Sequence, residues 1–325
     1  MTEIHTGDVR DVLPTLDAGS VQCVVTSPPY WGLRDYGVEG QIGLEPTPDA
    51  YIATVVAVFR EVRRVLRDDG TCWLNLGDSY AGGTQTGRND RGRSREGGGS
   101  GSGREDGSDR TRIEKRDGLK PKDLCMIPAR VALALQADGW YLRSDIIWAK
   151  GLSFCPSYAG TVMPESVTDR PTQSHEHVFL LTKSPRYYYD ADAVREQGTT
   201  GQGASWATRK AAGATGGSFN TGNNQQHGQG VSHDLGQGGT RNLRSVWTIN
   251  PQPYREAHFA TFPTALVEPC IKAGSKTGDT VLDPFAGSGT VGCVALKLGR
   301  TFVGIELNPD YSRLARESIL GPLFV

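Results

Sequence analysis

Residues 280–290 read Thr-Val-Leu-Asp-Pro-Phe-Ala-Gly-Ser-Gly-Thr, and this stretch decides the fold class. Thr280, Val281 and Leu282 form a short β-prone run suited to a strand buried on both faces, which Asp283 and Pro284 bring to an end. Ala286, Gly287, Ser288 and Gly289 then turn the chain. Without a Cβ at Gly287 and Gly289, backbone N–H groups and the following helix N-terminus can approach a ligand. Val291, Val294, Ala295 and Leu298 keep helical spacing up to Gly299, and Thr301–Glu306 reads as the next buried strand.

The same alternation recurs upstream. Val21–Thr26 and Thr71–Leu76 have the composition of buried strands. Helical spacing appears at Ile52, Val55, Val56, Phe59, Val62 and Leu66, and again over Pro128–Ala137 before Gly139. Strands that alternate with helices predict an α/β fold built on a doubly wound, mostly parallel sheet. Pro269 interrupts the apolar pattern from Thr264 to Ala273, so a helix there is expected to start late or kink.

Two stretches depart from this globular pattern. Residues 81–118 are rich in Gly and Ser, with nine basic residues against seven acidic ones, and read as a flexible, nearly charge-balanced insertion. Residues 197–245 are rich in Gly, Gln, Asn and Thr, with Arg209, Lys210, Arg241 and Arg244 against a lone acid, Asp234. The whole chain of 325 residues has a net charge of -1, so contact with nucleic acid has to come from local basic patches. Six cysteines are scattered without a CxxC pair, which fits a reducing cytoplasm. There is no apolar run of about 18 residues and no leader pattern, so no membrane span or signal peptide is expected.

Three chemically unusual segments each follow a predicted strand: TSPPYW (Thr26 to Trp31), DPFAGSGT (Asp283 to Thr290) and Glu306. In an open α/β sheet the carboxyl ends of the strands form one rim where ligands bind, so the three are expected to face one crevice. The glycine turn with a carboxylate one strand on suits a nucleoside, whose ribose hydroxyls Glu306 would accept. A phosphate-binding P-loop is disfavoured because no Lys follows Gly289. In TSPPYW two adjacent prolines fix φ twice and remove two donors, leaving acceptors beside an aromatic ring, an arrangement that suits an amine. The plainer reading is a rigid turn with Tyr30 and Trp31 packed into the core.

With these motifs in place the chain resembles the amino-methyltransferases of bacterial and phage DNA modification. That family shares an (S/D/N)PP(Y/F/W) loop and a DPFxGSGT loop. Here the first precedes the second, an order similar to the permuted, β group. The resemblance extends through LNLGDSY (Leu74 to Tyr80), GWYLRSDIIWAK (Gly139 to Lys150), HEHVFLLTKSPRYYYD (His175 to Asp190) and HFATFPTALVEPCIKAG (His258 to Gly274). It implies the Rossmann-like fold of S-adenosylmethionine-dependent methyltransferases, with that molecule as cofactor and double-stranded DNA as partner. Residues 1–80 would then be the catalytic-loop half, 81–118 the insertion, 119–196 its continuation, 197–245 a target-recognition region and 246–325 the cofactor-binding half.

Residue by residue, the resemblance puts Ser27, Pro28, Pro29 and Tyr30 at the target amine. It puts Asp283, Phe285, Gly287, Ser288, Gly289 and Thr290 around the methionine part of the cofactor, and Glu306 on its ribose. Asp8 resembles the adenine-side contact, and a helix N-cap over Val9 to Leu16 is its alternative reading. Arg209, Lys210, Arg241 and Arg244 would grip DNA, unless their stretch is only an insertion. The implied reaction is direct in-line methyl transfer to a flipped-out base, with the ring of Tyr30 stacked on it, so that Tyr30→Phe is expected to be tolerated.

The SPPY form occurs more often with cytosine-N4 targets and DPPY with adenine-N6, so cytosine N4 is favoured and adenine N6 is the alternative. Carbon-5 methylation would need a cysteine nucleophile, and the Pro269-Cys270 pair sits where a buried core thiol is the simpler reading. His175 and His177 lack the companions of a zinc site, so no metal is expected. A catalytically silent DNA-binding module would have lost its motifs, and both are intact here. The same resemblance implies a cytoplasmic enzyme of a restriction-modification system, whose cognate endonuclease would act separately.

Overall fold

The computed structural model describes residues 2–33, 35–81, 119–158, 160, 165–197, 240–251 and 263–321. By its contacts the chain divides into a main unit, residues 1–189 with 245–325, and a small one, residues 190–244.

The main unit is built on an eight-stranded sheet. Its strands are β1 (Glu3–Thr6), β2 (Val21–Thr26), β3 (Leu66–Leu76), β4 (Tyr141–Ala149), β5 (His175–Thr182), β8 (Val246–Thr248), β9 (Thr280–Asp283) and β10 (Thr301–Glu306). They lie in the order β1-β10-β9-β2-β3-β5-β4-β8, and of these eight strands β5 is the one that runs antiparallel to its neighbours. The doubly wound, mostly parallel sheet expected from the sequence is present, in mixed form. Every residue of β2 is buried, as a central strand covered on both faces requires.

Side-chain parity assigns the helices to the two faces. Val24, Cys72 and Leu74 point into a core shared with α2 (Pro48–Val65) and α3 (Ile127–Ala137). Thr71 and Trp73, together with Cys23, point the other way, toward α4 (Thr264–Gly274). Helices α5 (Thr290–Lys297) and α6 (Pro309–Leu320) follow β9 and β10. Helix α2 starts where Thr47 accepts from the Ala50 N–H at 3.1 Å with Pro48 in the first turn, and it buries a stripe of Tyr51, Val55, Phe59 and Val62.

The expected strand at Thr71 begins earlier, at Leu66, directly where α2 ends. The polar run Arg67-Asp68-Asp69-Gly70 hid its first half, which pairs with β2 through a register irregularity between Val21 and Cys23. The expected helix does not start late at Pro269: α4 runs from Thr264 through the proline to Gly274. Leu266, Val267, Cys270, Ile271 and Ala273 are buried, and that burial outweighs the missing backbone bond. Strands β1 and β4 and helix α6 add to what the sequence pattern indicated. In the small unit, β6 (Glu196–Gln197) pairs with β7 (Thr240–Arg241) antiparallel. The low-complexity stretch 82–118 and residues 198–239 lie outside the described residues.

Helix α4 meets the sheet at Gly274, where an added Cβ would come within 2.3 Å of the Thr71 hydroxyl and 2.9 Å of the Cys23 sulfur. Gly274→Ala is therefore expected to cost about 1–3 kcal/mol of stability, the usual range for overpacking a filled core. Urea unfolding measures this directly, and an unchanged midpoint would contradict the close approach.

Candidate active site

Sheet connections diverge in opposite directions from the boundary between β9 and β2, which pair through Cys23↔Val281 and Val24↔Leu282. Such a topological switch point leaves a crevice at the strands' carboxyl ends. The two motif loops leave the sheet here side by side. The Thr26 hydroxyl, fully buried at the end of β2, donates to Asp283 Oδ1 at 2.7 Å at the end of β9. The same oxygen accepts from the Phe285 N–H at 3.0 Å. Burial pushes the Asp283 carboxyl up to about 7; these two hydrogen bonds pull against it, and the nearby Glu306 adds to the rise.

The glycine turn separates two roles. At Gly287 φ is +53° and no heavy atom lies within 4 Å of where a Cβ would be, so its backbone borders open space. At Gly289 φ is +86°, and a Cβ would meet Ile319 Cδ1 at 2.8 Å, so this glycine serves the packing of the turn on α6. Ser288 is buried, and its hydroxyl has no hydrogen-bond partner among the described residues. A buried hydroxyl without a partner is costly, and a bound ligand is one way to satisfy it. Phe285 packs partly against the core, and Thr290 opens α5.

Glu306 joins this turn to the next strand. Its Oε2 accepts from the Gly287 N–H at 2.8 Å and its Oε1 from the Asn308 N–H at 2.8 Å. Burial raises its pKa and these backbone donors oppose the rise. Each carboxylate oxygen keeps a second lone pair for a ligand hydroxyl. Strand β1 lies beside β10, with Thr6 opposite Glu306 and the Gly7 N–H donating to the Glu306 carbonyl at 2.9 Å. Asp8 follows at once, and the structure makes it the N-cap of α1 (Val9–Val12). Its Oδ1 accepts from the Arg10 backbone N–H at 2.8 Å, and its carboxylate pairs with the Arg10 guanidinium. That partner holds the Asp8 carboxyl below its ordinary value.

On the loop after β2, Pro28 is buried and Trp31 is a core residue whose indole N–H donates to the Glu45 carbonyl at 2.8 Å. The Tyr51 hydroxyl from α2 donates to the Pro29 carbonyl at 2.9 Å. Among the described residues no donor reaches the Pro28 carbonyl. Tyr30 is turned inward. Its hydroxyl accepts from the Ser27 hydroxyl at 3.2 Å and donates to Glu176 Oε2 at 2.7 Å, with Asn75 Oδ1 at 3.0 Å. The Asn75 amide donates to the same Glu176 oxygen at 3.1 Å, and Lys150 forms an ion pair with its other oxygen. Gly77 gives the ring room, since a Cβ there would lie 2.6 Å from Tyr30 Cε2. The Tyr30 hydroxyl, expected from the sequence to be dispensable, has these partners and ties the loop to β3 and β5. Burial first, then the Glu176 charge, pushes its pKa well above 10.

Sequence reasoning missed Asn75, Lys150 and Glu176. Their signal was a polar or charged residue at the end of an otherwise apolar strand, at positions already within the quoted motifs. Cys270 is buried with its thiol pushed well above the ordinary value by desolvation, which keeps it from acting as a thiolate. Among the described residues no group of three or more His, Cys, Asp or Glu is placed to hold a metal, and no helix is long and apolar enough to cross a membrane. In the small unit, Arg241 and Arg244 both donate to Glu196 Oε2 at 2.9 Å. Arg209 and Lys210 lie outside the described residues.

The mostly parallel mixed sheet is similar in fold to solved S-adenosylmethionine-dependent methyltransferases. The PvuII DNA methyltransferase (cytosine-N4-specific) superposes with a TM-score of 0.61 at 17% identity, covering 97% of this chain and 86% of that one. Protein TTHA0409 of Thermus thermophilus, complexed with S-adenosyl-L-methionine, gives 0.56 at 22% identity over 98% and 93%. At these identities the likeness is one of fold. The family model for DNA methylases matches residues 21–317, and the chain belongs to that family. The type II methyltransferase M.Cfr9I of Citrobacter freundii is 46% identical over 317 residues, which is 97% of this chain and 86% of that protein. M.SmaI of Serratia marcescens, also a type II methyltransferase, is 44% identical over 98% of this chain and 90% of its own length.

The buried Asp283 gives a pH test on the cofactor-free protein. Its folded pKa, about 7, lies above the ordinary value of 3.8, so between these limits the folded state holds a proton that the unfolded state has lost. The stabilisation this gives is fully present near pH 4 and lost as pH rises through about 7. The stability of wild type relative to Asp283→Asn should therefore decline over that window and level off above it. Thermal melts of both proteins across the window check this, and a flat difference would contradict the burial of the charge.

Proposed function

We propose that the protein transfers a methyl group from S-adenosylmethionine to the exocyclic N4 amine of cytosine in double-stranded DNA, by base flipping and direct in-line displacement. The observation that carries this reading is the pairing of the two loops. Acceptors at the end of β2, the Pro28 carbonyl and the Ser27 hydroxyl, sit beside a buried carboxylate and an open glycine turn at the end of β9.

S-adenosylmethionine supplies an electrophilic methyl group when bound. Asp283 and Ser288 would hold its methionine part with the turn of Phe285, Gly287, Gly289 and Thr290, and Glu306 would hold its ribose. The orphaned Ser288 hydroxyl and the open space at Gly287 fit such a guest. Asp8 would reach the adenine end by giving up part of its hold on Arg10.

The lone pair of a base amine is delocalised into the ring. Hydrogen bonds from that amine to Pro28 and Ser27 would localise it on nitrogen, with acceptors placed where positive charge grows. Tyr51 already donates to the Pro29 carbonyl, while none of the described residues donates to that of Pro28, which makes Pro28 the freer acceptor for a substrate. The amine is out of reach inside a duplex, so the base is flipped and packed against the ring of Tyr30. The SPPY form, Ser27 to Tyr30, supports cytosine N4 over adenine N6, and its place ahead of DPFAGSGT supports the permuted group.

The resemblance to type II methyltransferases supports a cytoplasmic modification enzyme whose restriction partner acts separately. DNA contacts are assigned to Arg209, Lys210, Arg241 and Arg244. The last two would exchange Glu196 for phosphate or guanine.

Incubation with unmodified duplex DNA and labelled S-adenosylmethionine, followed by nucleoside separation, tests the reading. N4-methylcytosine is the expected product. N6-methyladenine would replace the base assignment, and the absence of any methylated nucleoside would overturn the activity.

A further inference from the structure

A chain of hydrogen bonds leads from the loop after β2 to a paired carboxylate, with Glu176 Oε2 the nearer of two acceptors for the Tyr30 proton, the other being Asn75 Oδ1 at 3.0 Å. The Ser27 hydroxyl donates to the Tyr30 oxygen at 3.2 Å, and the Tyr30 hydroxyl donates to Glu176 Oε2 at 2.7 Å. Asn75 donates to that oxygen as well, and its amide is fixed by a second bond, at 3.1 Å, to the His177 carbonyl. Lys150, at the end of β4, closes the far side as the counter-charge. Glu176 and Lys150 are mostly buried, with side-chain exposures of 14% and 24%.

A buried ion pair of this kind is a poor way to gain stability, since its desolvation offsets most of its attraction. Its polarity is informative. With its proton turned to Tyr30, Ser27 keeps its lone pairs for an incoming N–H. With its proton turned to Glu176, Tyr30 can accept from Ser27.

We propose that Glu176 is the terminal base of a proton relay that drains the target amine through Ser27 and Tyr30. The inference rests on the amine-directed reading given above. As the nitrogen bonds to the methyl carbon, the carbon–sulfur bond breaks and its electron pair stays on sulfur, leaving the nitrogen with one proton too many. That proton passes to Ser27 Oγ, the Ser27 proton to the Tyr30 oxygen, and the Tyr30 proton to Glu176 Oε2. One N–H and two O–H bonds break, three O–H bonds form, and the carboxylate becomes a carboxylic acid that later releases its proton to water. No oxidant or metal takes part in the balance.

Glu176 is surrounded by several other charged or titratable groups. These are Tyr30 on the loop, Lys150 just after β4, Asp145 on β4, and His175 and His177 beside it on β5, with Asp78 facing His177. His177 is paired with Asp145 at 2.9 Å, and burial holds His175 below its ordinary value, so neither imidazole replaces the carboxylate as the end of the chain.

The test is the single-turnover rate of methyl transfer to duplex DNA for wild type, Glu176→Gln and Tyr30→Phe. Equilibrium binding of cofactor and duplex is measured alongside. General-base contributions are typically 100-fold or more, so each variant is expected to lose about 100-fold in rate with both dissociation constants nearly unchanged. Tyr30→Phe leaves the Lys150–Glu176 pair intact, so it decides the matter should Glu176→Gln fail to fold. A rate close to wild type in Tyr30→Phe, or a loss explained by weaker binding of cofactor or duplex in both variants, would overturn the relay. Nucleoside analysis of the wild-type product separates the two claims: no methylated nucleoside sinks the amine-directed reading, whereas a methylated product with unaffected variants sinks the relay alone.

Discussion

The hydrogen bond from Thr26 to Asp283 spans 257 residues of sequence and is the join on which the site depends. It ties the last residue of β2 to the last residue of β9 at the place where the sheet's connections diverge. One loop carries the Pro28 carbonyl and the Ser27 hydroxyl, the acceptors proposed for an amine, and the other surrounds a buried carboxylate. Placed apart, each is a tight turn; placed together, they form a crevice that can hold two reactants in one geometry. Holding reactants in this way accounts for a large part of the rate gain in displacement reactions that need no covalent intermediate.

Around that join the fold invests polar groups where apolar ones would pack more cheaply. Glu306 binds the glycine turn from one side, and the network of Asn75, Lys150 and Glu176 supports Tyr30 from the other. Behind both, the sheet is ordinary: residues of β2 and of β3 from Gly70 to Leu76 alternate between two helical layers and are buried on each face. The division follows from chemistry. A core of this kind fixes strand positions, and strand ends then deliver side chains to a common rim.

Much of this was legible in the sequence because its signals are local. The buried strands Val21–Thr26, Thr280–Asp283 and Thr301–Glu306 announce themselves by short apolar runs ending in Ser, Asp or Glu, and the structure sets them at those positions. Local patterning failed where tertiary contacts overrule it. Pro269 sits inside α4 because the helix is held by what it buries, and the first half of β3 is polar yet pairs with β2. Distant pairings were beyond reach as well. No spacing tells that Glu176, far along the chain, meets the hydroxyl of Tyr30, or that Gly77 is small because that ring lies on it. Asp8 shows a third kind of limit: a carboxylate before a helix serves as cap and as ligand with one and the same pattern, and here Arg10 and the cap hold it.

The central claim is that the Thr26–Asp283 bond makes the crevice a working cofactor site, and Thr26→Val, with S-adenosylmethionine affinity measured by equilibrium binding across neutral to alkaline pH, tests it most directly. Loss of a hydrogen bond to a charged group corresponds to about 1.5–3 kcal/mol. The Asp283 carboxyl, deprived of a donor that lowers its pKa, would be more fully protonated at neutral pH. The account predicts affinity reduced by roughly 10-fold to 100-fold at pH 7 and partly restored at alkaline pH, with Thr26→Ser close to wild type. Affinity in Thr26→Val equal to wild type at every pH would contradict it.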